Sequence, residues 1–204
     1  MSEDLNLRSM IAAAAQQVID HADELTALDQ AIGDGDHGIN MKRGSAEVLA
    51  QLDAIAAKPT GEALKALGMA LVMKVGGASG PLYGSLFIGM GKALGDRGAT
   101  MELLAEIVSA GVDAVAARGK SSIGEKTMLD VLGPVRDAIG AGGPDLAVRV
   151  REAAERGAAA TVPMRATKGR AAFLGERSVG HMDPGARSSQ IIVEALSPFL
   201  EKCS

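Results

Sequence analysis

The sequence predicts an all-α protein of about eight helices, and three observations support this fold class. Apolar residues recur at helical spacing along successive segments, and no run alternates apolar and polar residues as a half-buried strand would. Hydrophobic residues make up 47% of the 204 residues, whereas aromatic residues make up only 2%. The core must therefore consist mainly of Ala, Leu, Ile, Val and Met, of which Ala and Leu are the stronger helix formers. A chain of this length is expected to form a single domain over residues 1–204.

Eight segments have the apolar spacing of amphipathic helices, and short breaks separate most of them. The first covers residues 7–28, where Ile11, Val18 and Leu25 share one face opposite Gln, Asp and Glu. The other seven are predicted over residues 40–57, 62–75, 82–94, 101–117, 127–139, 145–160 and 186–201. Glycine and proline interrupt the chain at residues 58–61, 76–81, 95–98 and 140–144. Pro144 suits the first turn of the helix that follows it.

The inward-facing positions of five later helices can be read from the same spacing. They are Met41, Val48, Leu52 and Ile55; Leu64, Leu67, Leu71 and Val75; Leu104, Ile107, Val108 and Val115; Met128, Val131, Leu132, Val135 and Ile139; and Ile191, Ile192, Ala195 and Leu196. Residues 161–185 fit no helical pattern and form an irregular stretch that is basic and contains several glycines. Irregular segments of this length are more often functional than idle.

Composition and charge exclude several classes of function. The formal net charge is -4, from 21 basic and 25 acidic residues, and no long basic stretch is present, so nucleic acid is not an expected partner. The start of the chain lacks the basic region of a secretory signal, and the longest uncharged stretch, residues 75–91, is too short and glycine-rich to span a membrane. The lone Cys203 permits no intrachain disulfide. We expect a cytoplasmic protein without membrane contact.

The most informative segment is an acidic loop after the first predicted helix. Asp29, Asp34 and Asp36 lie within eight residues and are interleaved with glycines, which let several carboxylates turn toward one point. Convergent carboxylate oxygens suit Mg²⁺ or Ca²⁺. An EF-hand is disfavoured, because Gly38 and Ser45 occupy the fifth and twelfth positions counted from Asp34. The alternative is a solvated acidic loop whose aspartates cap helices.

Two further segments have features of phosphate-binding loops. His37 follows the acidic loop directly, and Asn40 lies at the predicted start of the next helix, where free amides favour anions. The alternatives are a solvent-exposed histidine and a simple helix cap. The glycine-rich residues 76–80 end at another helix start and suit a phosphate cradle, although no Walker lysine follows. Otherwise they form a plain turn in which Gly80 and Gly84 allow close helix packing.

Two later segments complete the set of candidate residues. The irregular stretch carries charged side chains that either form a surface loop or clamp phosphate oxygens: Arg165, Lys168, Arg170, Arg177, His181 and Asp183. Residues 125–130 open a helix, and Glu125 is best explained as part of helix initiation. Met128 more often packs in a core than against a base. Carboxylates, glycine amides and arginines together indicate phosphoryl transfer without a P-loop or protein-kinase frame, and no nucleophile elbow is present.

Four motifs, in order along nearly the whole chain, resemble the nucleotide-binding L subunit family of dihydroxyacetone kinases. They are LDQAIGDGDHG at residues 28–38, GGASGPLYG at 76–84, EKTMLD at 125–130, and GRAAFLGERS at 169–178 with GHMDPGA at 180–186. Three departures from the family pattern are Ile39 in place of Thr, Glu125 in place of Asp, and Met182 in place of Gln. Ile39 lacks a hydroxyl beside the phosphates but keeps its backbone amide.

The resemblance implies a closed barrel of eight antiparallel helices with ADP or ATP at one end. Three aspartates, Asp29, Asp34 and Asp36, would hold two Mg²⁺ ions that bridge the phosphates. Residues expected to line the phosphates are His37, Gly38, Ile39, Asn40, Ala78, Ser79 and Gly80. Those expected to complete the nucleotide pocket are Thr127 and Met128 beside the ribose or base, together with Arg177, Asp183, Pro184 and Gly185. Arg177 would also be catalytic, and Arg170 fits a phosphate clamp.

The resemblance also implies that the chain works with other proteins. A separate K subunit would hold dihydroxyacetone covalently on a histidine, and the chain leaves no room for a fused K domain. A multiphosphoryl carrier, the M subunit, would rephosphorylate bound ADP from phosphoenolpyruvate; in other systems free ATP is the donor. Left open are a tetrose substrate such as erythrulose, a regulatory module that binds a transcription regulator, a barrel that binds lipid, and a homodimer.

Overall fold

The computed structural model describes residues 6–201, which form ten α-helices and one 3₁₀ segment and contain no strand. The predicted all-α class is confirmed. The helices are α1 (Leu7–Asp20), α2 (Ala22–Ile32), α3 (His37–Ala50), α4 (Leu52–Ala56), α5 (Thr60–Lys74), α6 (Ser79–Leu94), α7 (Met101–Gly119), α8 (Leu129–Gly140), α9 (Leu146–Ala160) and α10 (Pro184–Glu201). The 3₁₀ segment is Arg170–Ser178. Cys203 lies outside the described residues.

The eight longer helices other than α2 pack in an order that closes on itself. Each packs against the next in the sequence α1, α3, α5, α6, α7, α8, α9 and α10, and α10 packs against α1. Helix α2 lies against α3, α10 and the 3₁₀ segment, and the short α4 lies against α1 and α5. The inward-facing side chains enclose an apolar core that includes Val18, Leu25, Leu71, Tyr83 and Val115. None of the helices between residues 6 and 201 is long and apolar enough to cross a membrane.

Glycines bring α5 and α6 unusually close together. A Cβ atom on Gly84 would overlap a methyl group of Val72 and lie 2.9 Å from the carbonyl oxygen of Gly68, and a Cβ on Gly91 would lie 2.5 Å from the carbonyl oxygen of Gly61. A Cβ on Gly80 would overlap the carbonyl oxygen of Val75. The packing role considered for Gly80 and Gly84 is therefore present in the structure.

The main differences from the predicted elements are one helix break and two helix starts, and carboxylates cap the helices at both of these starts. The first predicted helix breaks at His21 and continues as α2 to Ile32, so Asp29 lies on a helix rather than in the loop. Helix α3 begins at His37 rather than at Asn40, because the Asp29 carboxylate accepts hydrogen bonds from the first free amides. Helix α10 begins at Pro184, where Asp183 supplies the N-cap by accepting a 2.7 Å hydrogen bond from the amide of Ala186.

Candidate active site

A cleft of about 450 Å³ lies where several helix ends meet. The C-terminal end of α2 and the N-terminal ends of α3, α6 and α10 contribute to it, together with the end of α7, the loop before α8 and the start of the 3₁₀ segment. Many of the residues singled out from the sequence line this cleft, among them Asp29, Asp34, Asp36, His37, Ala78, Ser79, Thr127, Met128, Lys168, Arg170, Asp183, Pro184 and Gly185. The fold thus brings together side chains that are up to 156 residues apart in sequence, from Asp29 to Gly185.

Asp29, Asp34 and Asp36 form one cluster at the cleft, in which a ligand atom of each lies within 4.8 Å of the others. The Asp29 carboxylate is buried and held in place, because its Oδ2 accepts hydrogen bonds from the amides of Asp36 at 2.8 Å and His37 at 3.1 Å. The Asp34 carboxylate forms an ion pair with Arg170, with 3.0 Å between Oδ2 and Nη2. Three convergent carboxylates are the donor set that a hard divalent cation such as Mg²⁺ prefers.

Glycine is required in the acidic loop for two different reasons. A Cβ atom on Gly33 would overlap Oδ1 of Asp29, so only glycine leaves room for this carboxylate. Gly35 has φ +75, a left-handed conformation that glycine adopts without strain. Gly38 lies inside α3 and faces α2, where a Cβ would overlap the carbonyl oxygen of Ala22. Gly38 therefore sets the distance between these two helices, and it does not line the cleft.

His37 is buried and connects three helices, so the exposed-histidine alternative is wrong. Its Nδ1 lies 3.0 Å from the Ser79 hydroxyl at the start of α6, and its Nε2 lies 2.9 Å from the Ser188 hydroxyl on α10. Burial lowers the pKa of the imidazole below its ordinary value, although the charges of Asp29 and Asp36 act in the opposite direction. The contact with His37 holds the Ser79 hydroxyl in place, and both residues line the cleft.

Tyr83 extends this hydrogen-bond network to the first turn of α10. Its hydroxyl lies 2.8 Å from the hydroxyls of both Ser188 and Ser189 and donates to the carbonyl oxygen of Gly185 at 3.3 Å. Complete burial raises the pKa of the phenol to about 12. Tyr83 lines the cleft and also an apolar cavity of about 120 Å³ inside the ring of helices, so it forms part of the wall between them.

Four further residues expected at the phosphates do not line the cleft, namely Gly38, Ile39, Asn40 and Gly80. The Ile39 residue is 59% exposed. The Asn40 side chain is buried beside the second glycine loop, where its Oδ1 accepts a 2.9 Å hydrogen bond from Arg43. Arg177 is exposed at the far end of the 3₁₀ segment and is likewise absent from the cleft lining. Arg170, at the near end of the same segment, is part of the lining.

Thr127, Met128 and the turn at residues 183–185 also line the cleft, and a Cβ atom on Gly185 would lie 3.7 Å from Met128. Asp130 positions this region, because its Oδ2 accepts a 2.7 Å hydrogen bond from the amide of Thr127. Asp183 has a pKa raised to about 7, mainly by burial, and the amide of Ala186 and the charge of Lys126 counteract part of this rise. The cleft thus holds a titratable carboxyl well away from the Asp29, Asp34 and Asp36 cluster in sequence.

Lys126 is a buried residue of this region that sequence reasoning missed. Only 1% of it is exposed, and its ammonium group donates hydrogen bonds to the carbonyl oxygens of Thr161, at 2.6 Å, and His181. Burial lowers its pKa, while Asp183 and Asp130 act against that effect. Its burial could not be foreseen, because a lysine in a polar loop normally faces solvent. Its backbone has a left-handed conformation, with φ +60.

Several other lining residues were also missed, and most lacked a sequence signal. Arg118, at the end of α7, and Tyr83 line the cleft but follow ordinary helical patterns. Ser188 supports His37 from behind the lining, and it lies within a helix whose serines look unremarkable. Lys168, by contrast, was one of the charged candidates of the irregular stretch, and it does line the cleft; its ammonium donates to the carbonyl oxygen of Lys120 at 2.6 Å. Three helix N-termini, four carboxylates and four cationic side chains therefore surround one cleft.

These features together suit a metal-bound phosphate compound, and phosphotransferases use sites of this kind. Residues 31–198 match the family model described as the DAK2 domain, so the chain belongs to the DAK2 domain family.

Relatives with a similar sequence cover most of the chain. It is 46% identical to the PEP-dependent dihydroxyacetone kinase 1, ADP-binding subunit DhaL, of Listeria innocua, over 89% of both chains. It is also 46% identical to the PEP-dependent dihydroxyacetone kinase, ADP-binding subunit DhaL, of Escherichia coli, over 85% of this chain and 86% of that one. The L-erythrulose 1-kinase of Mycolicibacterium smegmatis is more distant, at 36% identity over 97% of this chain and 36% of the relative.

A solved structure shares the fold. The dihydroxyacetone kinase of C. freundii in complex with AMP-PNP and Mg²⁺ superimposes with a TM-score of 0.76 at 25% sequence identity, covering 94% of this chain. This chain spans 33% of the length of that kinase.

Proposed function

We propose that this chain is the nucleotide-binding subunit of a dihydroxyacetone kinase that works with phosphoenolpyruvate. The observation that carries the proposal is the cluster of Asp29, Asp34 and Asp36 beside the N-termini of α3 and α6. Carboxylates that hold a divalent cation, next to helix amides that favour anions, suit the phosphate chain of a nucleotide. The 46% identical ADP-binding subunits support the same function.

The proposed metal ligands are Asp29, Asp34 and Asp36, and they would hold two magnesium ions. Bound magnesium would neutralise charge on the phosphates and on the transferring phosphoryl group. Asp29 is already oriented by two backbone amides, so it would need no rearrangement to act as a ligand. We propose that the whole chain acts as one nucleotide-binding domain.

The remaining residues have proposed roles in binding. His37, Ala78 and Ser79 would contact the phosphates from the starts of α3 and α6, with Gly38, Ile39, Asn40 and Gly80 contributing through the backbone or through packing. Thr127 and Met128 would lie beside the ribose or base, next to the turn formed by Asp183, Pro184 and Gly185. Of the two arginines of the 3₁₀ segment, Arg170 is favoured as the phosphate clamp, because it lines the cleft and Arg177 does not.

The acceptor would come from a partner. The proposed reaction transfers the γ-phosphoryl group to a hydroxyl of dihydroxyacetone held on a separate K subunit, with the base supplied by that partner. Bound ADP would then be recharged in place by a phosphocarrier M subunit. A cytoplasmic location follows from these partners, and contact with a transcription regulator and self-association as a homodimer are further proposals.

Nucleotide release from the purified protein tests the proposal. The protein is prepared without added nucleotide and denatured, and the released compounds are quantified by chromatography. Near-stoichiometric ADP, lost when magnesium is chelated beforehand, is the expected result. An empty cleft that binds magnesium-ATP on titration would instead indicate the alternative, an ATP-dependent kinase subunit for a related triose or tetrose such as erythrulose. A protein that binds neither nucleotide would contradict the proposed function.

A second candidate function rests on the apolar cavity inside the ring of helices. The cavity of about 120 Å³ is lined almost entirely by apolar side chains, among them Met10, Leu67, Phe87 and Met90. Cavities of this character stay dry and accept apolar molecules. Binding of a lipid chain there is tested by native mass spectrometry before and after extraction with organic solvent. A single mass equal to that of the polypeptide would contradict it.

A further inference from the structure

The ion pair between Arg170 and Asp34 bears directly on how the cleft binds metal. Asp34 is one of three carboxylates whose ligand atoms lie within 4.8 Å of one another, an arrangement in which the like charges repel. Among the residues that the structure describes, Asp34 is the member of this cluster that has an ion pair, at 3.0 Å from Arg170. The guanidinium group thus partly neutralises the metal site.

From this arrangement we infer that Arg170 is an internal counter-ion that a divalent metal displaces from Asp34 and that then binds the nucleotide phosphates. This inference rests on the proposed function and adds a coupling between its two ligands. A cation of charge two attracts the three carboxylates more strongly than one guanidinium does, and it repels that guanidinium. Phosphate oxygens, which a guanidinium group can bind in bidentate fashion, are the matching new acceptors.

The ion pair is weak enough to exchange. One nitrogen of Arg170 meets one oxygen of Asp34, and the side chains are 68% and 35% exposed. Solvent-exposed pairs of this kind contribute little stability. Arg170 is the cation of the cleft that is paired with the carboxylate cluster. Lys168 is paired with Glu125, Lys126 is bonded to backbone carbonyls, and Arg118, within the described part of the chain, has no ion pair with a carboxylate of the cluster.

The backbone around Arg170 permits the exchange. Gly169, directly before it, has φ 63 and ψ -161, and Gly175 further along has φ 57 and ψ -125. Both conformations are available almost only to glycine, and they bracket the first turns of the 3₁₀ segment. No atom lies within 4 Å of the position that a Cβ would take on Gly169, so the space beside this residue is open. Arg170 therefore starts a short segment with a glycine at either side.

The inference predicts opposite effects of one substitution on two ligands. In the Arg170→Gln variant, Mn²⁺ alone should bind about two- to fivefold more tightly, because its competitor for Asp34 is gone. ADP at saturating Mg²⁺ should bind roughly tenfold or more weakly, because a charged hydrogen-bond donor to phosphate is lost. A residue with a merely structural role would weaken both.

Titration calorimetry of the full chain measures both affinities, with Mn²⁺ as the metal probe and ADP as the nucleotide. The Arg165→Gln variant is the matched control, since it removes an exposed ion pair with Glu176 on the same 3₁₀ segment but does not line the cleft. Both of its affinities should equal those of the wild type. Arg170→Lys keeps the charge without the bidentate geometry, so it should restore metal competition but only part of the ADP affinity.

Each outcome decides between the two proposals. Tighter Mn²⁺ binding together with weaker ADP binding in Arg170→Gln supports the counter-ion role. Changes of the same sign, or no change, in a variant with wild-type thermal stability overturn this role while leaving the proposed function in place. A wild-type protein that binds neither Mn²⁺ nor ADP overturns both.

Discussion

At the scale of single residues, several side chains of the cleft serve the fold as well as the site. Asp29 is both a member of the carboxylate cluster and the acceptor for the first amides of α3. Asp183 lines the cleft and caps α10. Because the same oxygen atoms stabilise helix ends, the two interpretations of an acidic loop, metal ligand and helix cap, are not exclusive. Substitutions that separate these roles are therefore informative.

Replacing Asp29 and Asp34 by alanine should separate metal binding from helix capping. Both variants are expected to lose most of the magnesium-dependent affinity for ADP. Only Asp29→Ala should also lower the free energy of unfolding in EDTA, by roughly 1–2 kcal/mol, because it removes the cap of α3. Asp34→Ala should stay within about 0.5 kcal/mol of wild type. Urea denaturation in EDTA and calorimetry with magnesium-ADP measure the two effects, and wild-type ADP binding by Asp34→Ala would refute the metal assignment.

The raised pKa of Asp183 should make stability depend on pH. The ordinary pKa is 3.8 and the folded value is about 7, so the folded state binds the proton more tightly. The stabilisation by the protonated form is therefore fully present below the unfolded pKa and is lost as the pH rises toward about 7. Asp183→Asn keeps an N-cap acceptor but cannot titrate. Its stability relative to wild type should rise across this pH range.

Thermal unfolding of both proteins in steps between about pH 4 and pH 8 measures this difference. Lys126 and Asp130 also affect the Asp183 carboxyl, so Asp130→Asn serves as a second comparison. A constant difference between wild type and Asp183→Asn over the whole range would show that Asp183 keeps an ordinary pKa in the folded protein.

At the scale of elements, periodicity predicted the helices well but not their ends. Long segments with apolar residues on one face, such as residues 101–117, became helices within a few residues of the predicted bounds. The ends differed where distant groups intervene, as at His37, whose helix start depends on a carboxylate eight residues earlier. The 3₁₀ segment in residues 161–185 had no apolar period to reveal it.

The candidate site, like the helices, could be predicted from the sequence where its chemistry depends on neighbouring residues, and not where it depends on distant contacts. Local motifs indicated the carboxylate cluster and the second glycine loop, because their chemistry is visible in consecutive residues. Lys126 and Tyr83 act through contacts with Thr161, His181 and Ser188, which are far away in sequence. Such contacts are created by tertiary packing, and no local pattern specifies them.

Lys126 should stabilise the connection between the loop before α8 and residues 161–183. Lys126→Met keeps most of the side-chain volume but removes the donor to the carbonyl oxygens of Thr161 and His181. Losing hydrogen bonds from a charged group and leaving buried carbonyls unpaired should cost about 3 kcal/mol of unfolding free energy. Urea denaturation followed by circular dichroism measures this cost. Lys92→Met, at an exposed position of α6, is the control and should change stability by less than about 0.5 kcal/mol.

A small effect of Lys126→Met, equal to that of Lys92→Met, would mean that water replaces the ammonium group at these carbonyls. The buried lysine would then contribute to neither the fold nor the cleft. A large effect would explain why a charged residue is kept inside this loop.

At the scale of the whole molecule, the cleft lies at one end of a closed ring of helices, and the ring itself encloses an apolar cavity. Helix termini meet at such an end, so their free amides and capping side chains are available to a ligand without disturbing the packed sides. The 3₁₀ segment forms one wall of the cleft through Arg170 and Ala171. Its neighbour Phe173 is 90% exposed, which is unusual for so large an apolar side chain.

Phe173 is expected to contact the proposed K subunit, because it is exposed on the segment that forms one wall of the cleft proposed to bind the nucleotide. Phe173→Ser should leave stability within about 0.5 kcal/mol of wild type, since the side chain is already in solvent. Its affinity for magnesium-ADP should also be unchanged. The K subunit concentration needed for half-maximal phosphotransfer should rise about tenfold, the loss typical of a removed aromatic anchor at an interface.

Met73→Ser provides the matched control, because Met73 is an apolar residue with 72% exposure that lies on α5 and does not line the cleft. If an exposed apolar residue anywhere on the surface were enough to bind the partner, both variants would weaken phosphotransfer equally. An effect confined to Phe173→Ser would instead locate the contact beside the cleft, where the proposed reaction brings the acceptor hydroxyl to the phosphoryl group. Unchanged phosphotransfer in both variants would show that the proposed K subunit contacts a different part of the surface around the cleft.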